Sequence, residues 1–351
     1  MTTNAINDTR KAELLSTTVK HIDIRSFDAR PIIDGMAGMS FTSRDLARAT
    51  GIYNDMLKDP DCTIFLVIAG STSAGGCMDL YAELLRNNMI DGIVATGATI
   101  VDMDFFEGLG HKHYQALEVP DDDTLRSLLI DRIYDTYIDE EQLQHVDHTI
   151  YEIAETLEPR AYSSREFIRE MGKYLVEHGK KENSLVKLAY EHDVPIFCPA
   201  FVDSSAGFGL VKHQVEAMKA GKPYMVLDAI ADFRELTQIK IEAGTTGLLM
   251  IGGGVPKNFI QDTVVCAEIL GHDDVQVHKY AVQITVADVR DGACSSSTLQ
   301  EAASWGKVNT GIEQMVFAEA GSVMPLLASD AYHRGYWKDR AVRGWAKLFE
   351  A

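Results

Sequence analysis

The chain has 351 residues, 46% of them hydrophobic and 24% charged, enough for one large α/β domain or two smaller ones. Its formal net charge of −19, from 33 basic and 52 acidic side chains, argues against nucleic acid or an anionic membrane as partner and favours polycations. Five cysteines without CxxC spacing argue against a disulfide framework or a zinc site, and no metal is expected. No apolar run is long enough to span a bilayer, and Met1-Thr-Thr-Asn-Ala has no apolar signal core, so a cytoplasmic protein is expected.

Residues 1–20 are polar and mixed and read as an N-terminal arm or short helix; residues 21–351 read as one domain, with no repeat and no separating linker. Ser43 to Leu57 has helical apolar spacing. Thr63-Ile-Phe-Leu-Val-Ile-Ala69 is a continuous apolar run, the pattern of a strand buried on both faces. Gly70, Ser71, Thr72, Ser73 and Ala74 follow it and lead into a helix from Met78. Small residues between a strand and a helix N-terminus suit either an anion cradle or a tight turn. Ile90 to Thr96 is the next strand, closed by Thr96-Gly97-Ala98, with Asp102 beyond as a candidate helix cap. His111-Lys-His113 is read as a loop pair without a metal, since no acid or thiol cluster accompanies it. The acidic stretch 120–160 is read as a solvated helical excursion.

Ser163 to His178 opens with the capping-box pattern Ser-Ser-Arg-Glu. Strands are expected at Val194–Cys198, Pro223–Asp228, Thr246–Ile251, Tyr280–Val286 and Ile312–Ala318. Small-residue loops follow several of them: Phe201 to Gly209, Gly252-Gly253-Gly254-Val255-Pro256, and Asp291 to Ser297. The alternation of strands and helices predicts a doubly wound, mostly parallel α/β sheet, Rossmann-like, with ligands at the carboxyl edge.

Glu301-Ala-Ala-Ser-Trp305-Gly306-Lys307 carries the chemistry. A lysine buried against an aromatic wall loses its proton more easily and attacks a carbonyl or an imine. Gly306 is expected to let the backbone approach the indole closely. The plainer alternative is a helix end capped by a lysine.

Ser-Trp-Gly-Lys after Glu-Ala-Ala, the run Gly252-Gly-Gly-Val-Pro-Lys257, and Asp91-Gly-Ile-Val-Ala-Thr-Gly-Ala98 together resemble the deoxyhypusine synthase family, from about His21 to about Leu327. The resemblance implies a deoxyhypusine synthase-type fold and an NAD-dependent transfer of an aminobutyl group from a polyamine, through an imine on Lys307. It implies NAD contacts at Gly70 to Ala74, Thr96, Gly97, Ala98, Asp102, Asp203, Val286, Ala287, Glu319 and Ala320. It implies polyamine contacts at Asp102, Phe208, Gly253, Asn258, Cys294, Glu301 and Trp305. Departures from the family pattern concentrate in the amine pocket. Phe208 and Cys294 stand where acids are usual, Asn258 where histidine is usual, and Asp102 and Glu319 exchange glutamate and aspartate. The expected acceptor is a small polyamine, as in homospermidine synthase. The alternatives are a lysine of a translation factor, as in deoxyhypusine synthase itself, or an NAD-binding homologue without catalysis. The resemblance also implies a homotetramer with sites at subunit interfaces.

Overall fold

The computed structural model describes residues 3–291, 297–309 and 311–350; Cys294 lies outside them. Six strands form the main sheet: β1 (Thr63–Ile68), β2 (Gly92–Ala95), β3 (Ile196–Phe197), β4 (Thr246–Ile251), β5 (Tyr280–Thr285) and β6 (Glu313–Phe317). Every pairing is parallel, and the order across the sheet is β3-β2-β1-β4-β5-β6. This is the doubly wound order of dinucleotide-binding sheets, reversing between β1 and β4.

The strands read as unbroken apolar runs because both faces are covered. In β1, Ile64, Leu66 and Ile68 join one core with helices Phe41–Lys58, Met78–Arg86 and Ala320–Arg334. Phe65 and Val67 point the other way, into a second core with Ala229–Ala243, Gly254–Gln261 and Leu299–Ser304. That alternation is the period of two of an extended chain.

Three expectations need correction. The segment Pro223–Asp228 does not join the main sheet: only Val226–Leu227 is extended, and it pairs with Ala161–Tyr162 in a separate two-stranded sheet. Val226 is 38% exposed, so the segment lacks the two-sided burial a central strand needs. The acidic stretch is not wholly helical. Ile130–Ile133 and Thr136–Asp139 form a hairpin ahead of the helix Glu140–Thr156, turning through Tyr134 at φ 51°. The charged residues hide a small satellite core of Leu14, Leu125, Leu128, Ile130 and Tyr137. Finally, the helix expected over 43–57 begins earlier, at Phe41, with Ser40 at its N-cap position.

The N-terminal segment contains the helix Thr3–Leu14, which Lys11 ties to Asp139 at 2.7 Å. Further along, the buried Glu107 carboxylate receives His21 at 2.8 Å, His113 at 2.7 Å and Lys181 at 2.6 Å. His111 instead meets His145, so the two histidines of the 111–113 pair serve different partners. The capping box at Ser163 and Glu166 forms as expected. No helix among the described residues is long and apolar enough to cross a membrane.

Candidate active site

The carboxyl ends of the strands gather most of the residues singled out for cofactor. β1 leads to Gly70 at φ 92° and then a π-helical turn, Ser73–Cys77. β2 leads through Thr96 and Gly97 to a second π-helical segment, Ala98–Phe105. Such turns recur at functional sites because they re-aim backbone groups. The two loops are tied together: the Thr99 hydroxyl lies 2.9 Å from Thr96 Oγ1 and donates to the Gly70 carbonyl at 3.0 Å. Thr72 is anchored to the Tyr81 hydroxyl at 2.7 Å.

Gly97 has no room for a side chain. A Cβ there would stand 2.8 Å from Ser204 Oγ and 2.9 Å from the Phe201 carbonyl, both in the loop after β3. In that loop Asp203 is exposed, and Ser204 caps the helix Ser205–Ala220. Asp102 accepts the Ser205 amide at 2.8 Å, and burial pushes its carboxyl up to about 6 against that bond. After β4, Gly252 (φ 76°) packs against Ala69 of the β1 loop, and Gly253 caps the next helix. Val286 and Ala287 leave β5, with Val286 73% exposed. Glu319 follows β6 and caps the helix Ala320–Arg334 by accepting the amides of Gly321 and Ser322 at 2.7 and 2.8 Å. Its carboxylate is therefore engaged by its own helix.

Lys307 lies at the other end of the sheet. The helix Leu299–Ser304 starts with a capping box between Thr298 and Glu301, which occupies the Glu301 carboxylate. The helix ends in a Schellman turn: the Gly306 amide donates to Ala303 at 3.0 Å and the Lys307 amide to Ala302 at 3.1 Å. Gly306 sits at φ 69° with nothing within 4 Å of the place of a Cβ. Its need is thus conformational. The reversed chain then bridges Val308 to His278, two residues ahead of β5. Lys307 Nζ meets Asp262 Oδ1 at 2.5 Å and lies 5.3 Å from the centre of the Trp305 ring. Trp305 is itself 67% exposed.

Sequence reasoning missed two groups here. Asp262, at the end of the helix Gly254–Gln261, is one helical turn beyond Asn258 and is the acid that meets Lys307. Lys257, quoted only as part of a glycine motif, is fully buried and donates to Gln283 Oε1 at 2.9 Å and to the Ser297 carbonyl. Burial pushes its amine down to about 8; Glu301 opposes this and Lys307 adds to it. The polar residue within an apolar helix start was the available signal for Lys257; nothing local marked Asp262.

The two sets start from opposite edges of the sheet, with Lys257 and Gln283 between them: Gln283 accepts from Lys257, which feels the charge of Lys307, and donates to the Gly252 carbonyl at 2.9 Å. The glycine loops, Asp102, Asp203 and Phe208 belong to the carboxyl edge, whereas Trp305, Lys307 and Asp262 flank the amino edge. Between the edges run the six residues of β5, roughly 20 Å of strand.

An open, doubly wound sheet with small-residue loops at its switch point, and a lysine held beside a tryptophan, defines an α/β protein of dinucleotide-binding type. A family model described as deoxyhypusine synthase matches residues 31–331. A deoxyhypusine synthase-like protein of Coxiella burnetii (strain RSA 493 / Nine Mile phase I) is 71% identical over 342 residues, covering 97% of this chain and 96% of that protein. The deoxyhypusine synthase-like protein of Caulobacter vibrioides is 67% identical over 345 residues, covering 98% and 94%. A crystal structure of a putative deoxyhypusine synthase from Entamoeba histolytica shares the fold with a TM-score of 0.58 at 20% identity, covering 90% of this chain and 97% of that one. The chain belongs to the deoxyhypusine synthase family.

Proposed function

We propose that this protein is an NAD-dependent aminobutyl transferase that works through an imine on Lys307 and delivers the group to a small polyamine. The observation that carries the reading is the placement of Lys307: a Schellman turn projects it from a helix end, beside an aromatic face and a carboxylate. The carboxyl edge suits NAD. Gly70 and Gly252 adopt backbone open to a close-lying diphosphate, and Asp102 and Asp203 stand where acids meet ribose hydroxyls or an amine. The chemistry NAD supplies is removal of a hydride from the carbon beside a polyamine nitrogen and its return to the product.

The chain's own part is group transfer. The Lys307 amine adds to the imine carbon of the oxidised polyamine and expels the remainder as a free amine. The acceptor amine then adds to the Lys307 imine and displaces the lysine. Asp262 supplies a counter-charge to the protonated imine, and Trp305 a π-face for the cationic chain. The acid content around the pocket favours a shorter or differently spaced polyamine than spermidine, because Phe208 places no charge beside an ammonium.

The separation of the two edges supports a homo-oligomer, a tetramer by family resemblance, in which one copy brings its cofactor edge to another copy's Lys307. Phe208, Val211, Val215 and Met218, from 37% to 70% exposed, form an apolar stripe along the helix Ser205–Ala220, as an interface requires. The test is incubation with NAD and a panel of polyamines (spermidine, putrescine, agmatine), with and without a translation-factor substrate, products read by mass. An aminobutylated small amine, lost in Lys307→Arg with fold and NAD binding retained, is the expected result. Modification of the factor alone would transfer the reading to a protein acceptor, and no product from any combination would contradict enzymatic transfer.

A further inference from the structure

Behind Lys307 lies a buried polar chain that the proposed chemistry does not use. Lys240 Nζ, on the helix Ala229–Ala243, lies 2.9 Å from Thr246 Oγ1 and 3.1 Å from the Gly244 carbonyl. Thr246 Oγ1 is 2.9 Å from His278 Nδ1, and His278 Nε2 is 3.1 Å from the Ile260 carbonyl. All three side chains are buried. A carbonyl only accepts, so Nε2 carries the proton toward Ile260. Burial, reinforced by Lys240, holds the ring's proton affinity well below its ordinary range, so the imidazole is neutral and Nδ1 accepts from the threonine hydroxyl. The threonine oxygen in turn accepts from Lys240. Each hydrogen bond in the chain then has one permitted direction.

His278 touches both sides of the Lys307–Asp262 pair. Its main-chain amide donates to the Lys307 carbonyl at 3.0 Å, and its carbonyl accepts from Asn309 at 3.0 Å. Its ring reaches Ile260, two residues before Asp262, in the last turn of the helix Gly254–Gln261. The lysine's backbone and the carboxylate's helix are thus braced against one residue.

We propose that His278, fixed as its Nε2–H tautomer by Thr246 and Lys240, is a positioning residue that sets the separation of Lys307 and Asp262. The proposal rests on Lys307 being the reactive amine, but its test reads the pair without group transfer. Reductive labelling with propionaldehyde and cyanoborohydride at one fixed pH is followed at Lys307 by peptide mass, with the exposed Lys219 as internal reference. Asp262→Asn removes the partner that engages Nζ, and Lys307 is expected to label severalfold faster relative to Lys219. His278→Asn keeps an acceptor near Thr246 but cannot reach Ile260. It is expected to reproduce the Asp262→Asn rate, and the double variant to add nothing further. His278→Gln restores an N–H toward Ile260 and is expected to keep the parent rate. A parent rate in His278→Asn, or no change in Asp262→Asn, overturns the proposal. Should His278→Asn not fold, the ring nitrogens of the parent decide by NMR: a neutral Nε2–H ring supports the brace, and an Nδ1–H or charged ring refutes it. A Lys307 inert to labelling would count against the nucleophile reading instead, leaving the same NMR result to decide this one.

Discussion

At the scale of residues, the most telling groups are lysines in places that disfavour charge. Lys257 and Lys240 are both fully buried, and burial pushes each from an ordinary 10.5 down to about 8. Between those values the unfolded chain binds more protons than the folded one, so each lysine makes stability rise with pH from about 8 to about 10. Below pH 8 the full cost of charging a buried amine is present, up to about 3 kcal/mol for each. Denaturant unfolding of Lys240→Met against the parent at pH 7.5 and 10 reads this directly: the parent should gain on the variant as pH rises. Lys257→Met carries an added cost of about 1–3 kcal/mol, because the Gln283 and Ser297 acceptors lose their donor. Equal slopes for parent and both variants would contradict the assignment.

At the scale of elements, the turn at Gly306 decides where Lys307 points. The bonds from Gly306 to Ala303 and from Lys307 to Ala302 exist only with residue 306 in the left-handed region. Gly306→Ala is expected to cost about 1 kcal/mol in stability through that φ, with no clash to add to it. Its effect on product formation should exceed its effect on unfolding, since it re-aims Lys307. A variant that loses stability but keeps the parent turnover would show that the turn does not govern the site. These elements were unevenly legible. The apolar runs of β1 and β4 announced themselves because burial on both faces leaves only the first residue of each, a threonine, polar. The hairpin at Ile130–Asp139 did not, because only Ile130, Tyr137 and Ile138 of it are buried hydrophobics among charged neighbours. The Gly-Lys step of the Trp305 motif was visible. Asp262, however, reaches Lys307 only through the tertiary meeting of segments far apart in sequence, which no local pattern encodes.

At the scale of the whole molecule, the loops after the strands and the backbone of Lys307 lie at opposite edges of the sheet, and the proposed assembly has a second copy bring the two together. The exposed stripe of Phe208, Val211, Val215 and Met218 is the surface expected to do so. Val211→Glu places a charge in that stripe on a residue 63% exposed in the single chain, so the monomer fold should be unaffected. Sedimentation should show a smaller species than the parent and group transfer should fall with it; an unchanged assembly would remove this helix from the interface. The doubly wound α/β class, the small-residue loops and the family were legible from sequence, since each depends on short runs of residues. The distance between the two halves of the site was not, because it follows from which end of β5 each loop occupies. In the proposed reaction Lys307 carries the transferred group. Borohydride trapping of the intact protein with NAD and a polyamine, followed by peptide mass analysis, tests it most directly. An aminobutyl adduct on Lys307 that requires NAD is the result expected; an adduct on another lysine, or one that forms equally without NAD, would contradict it.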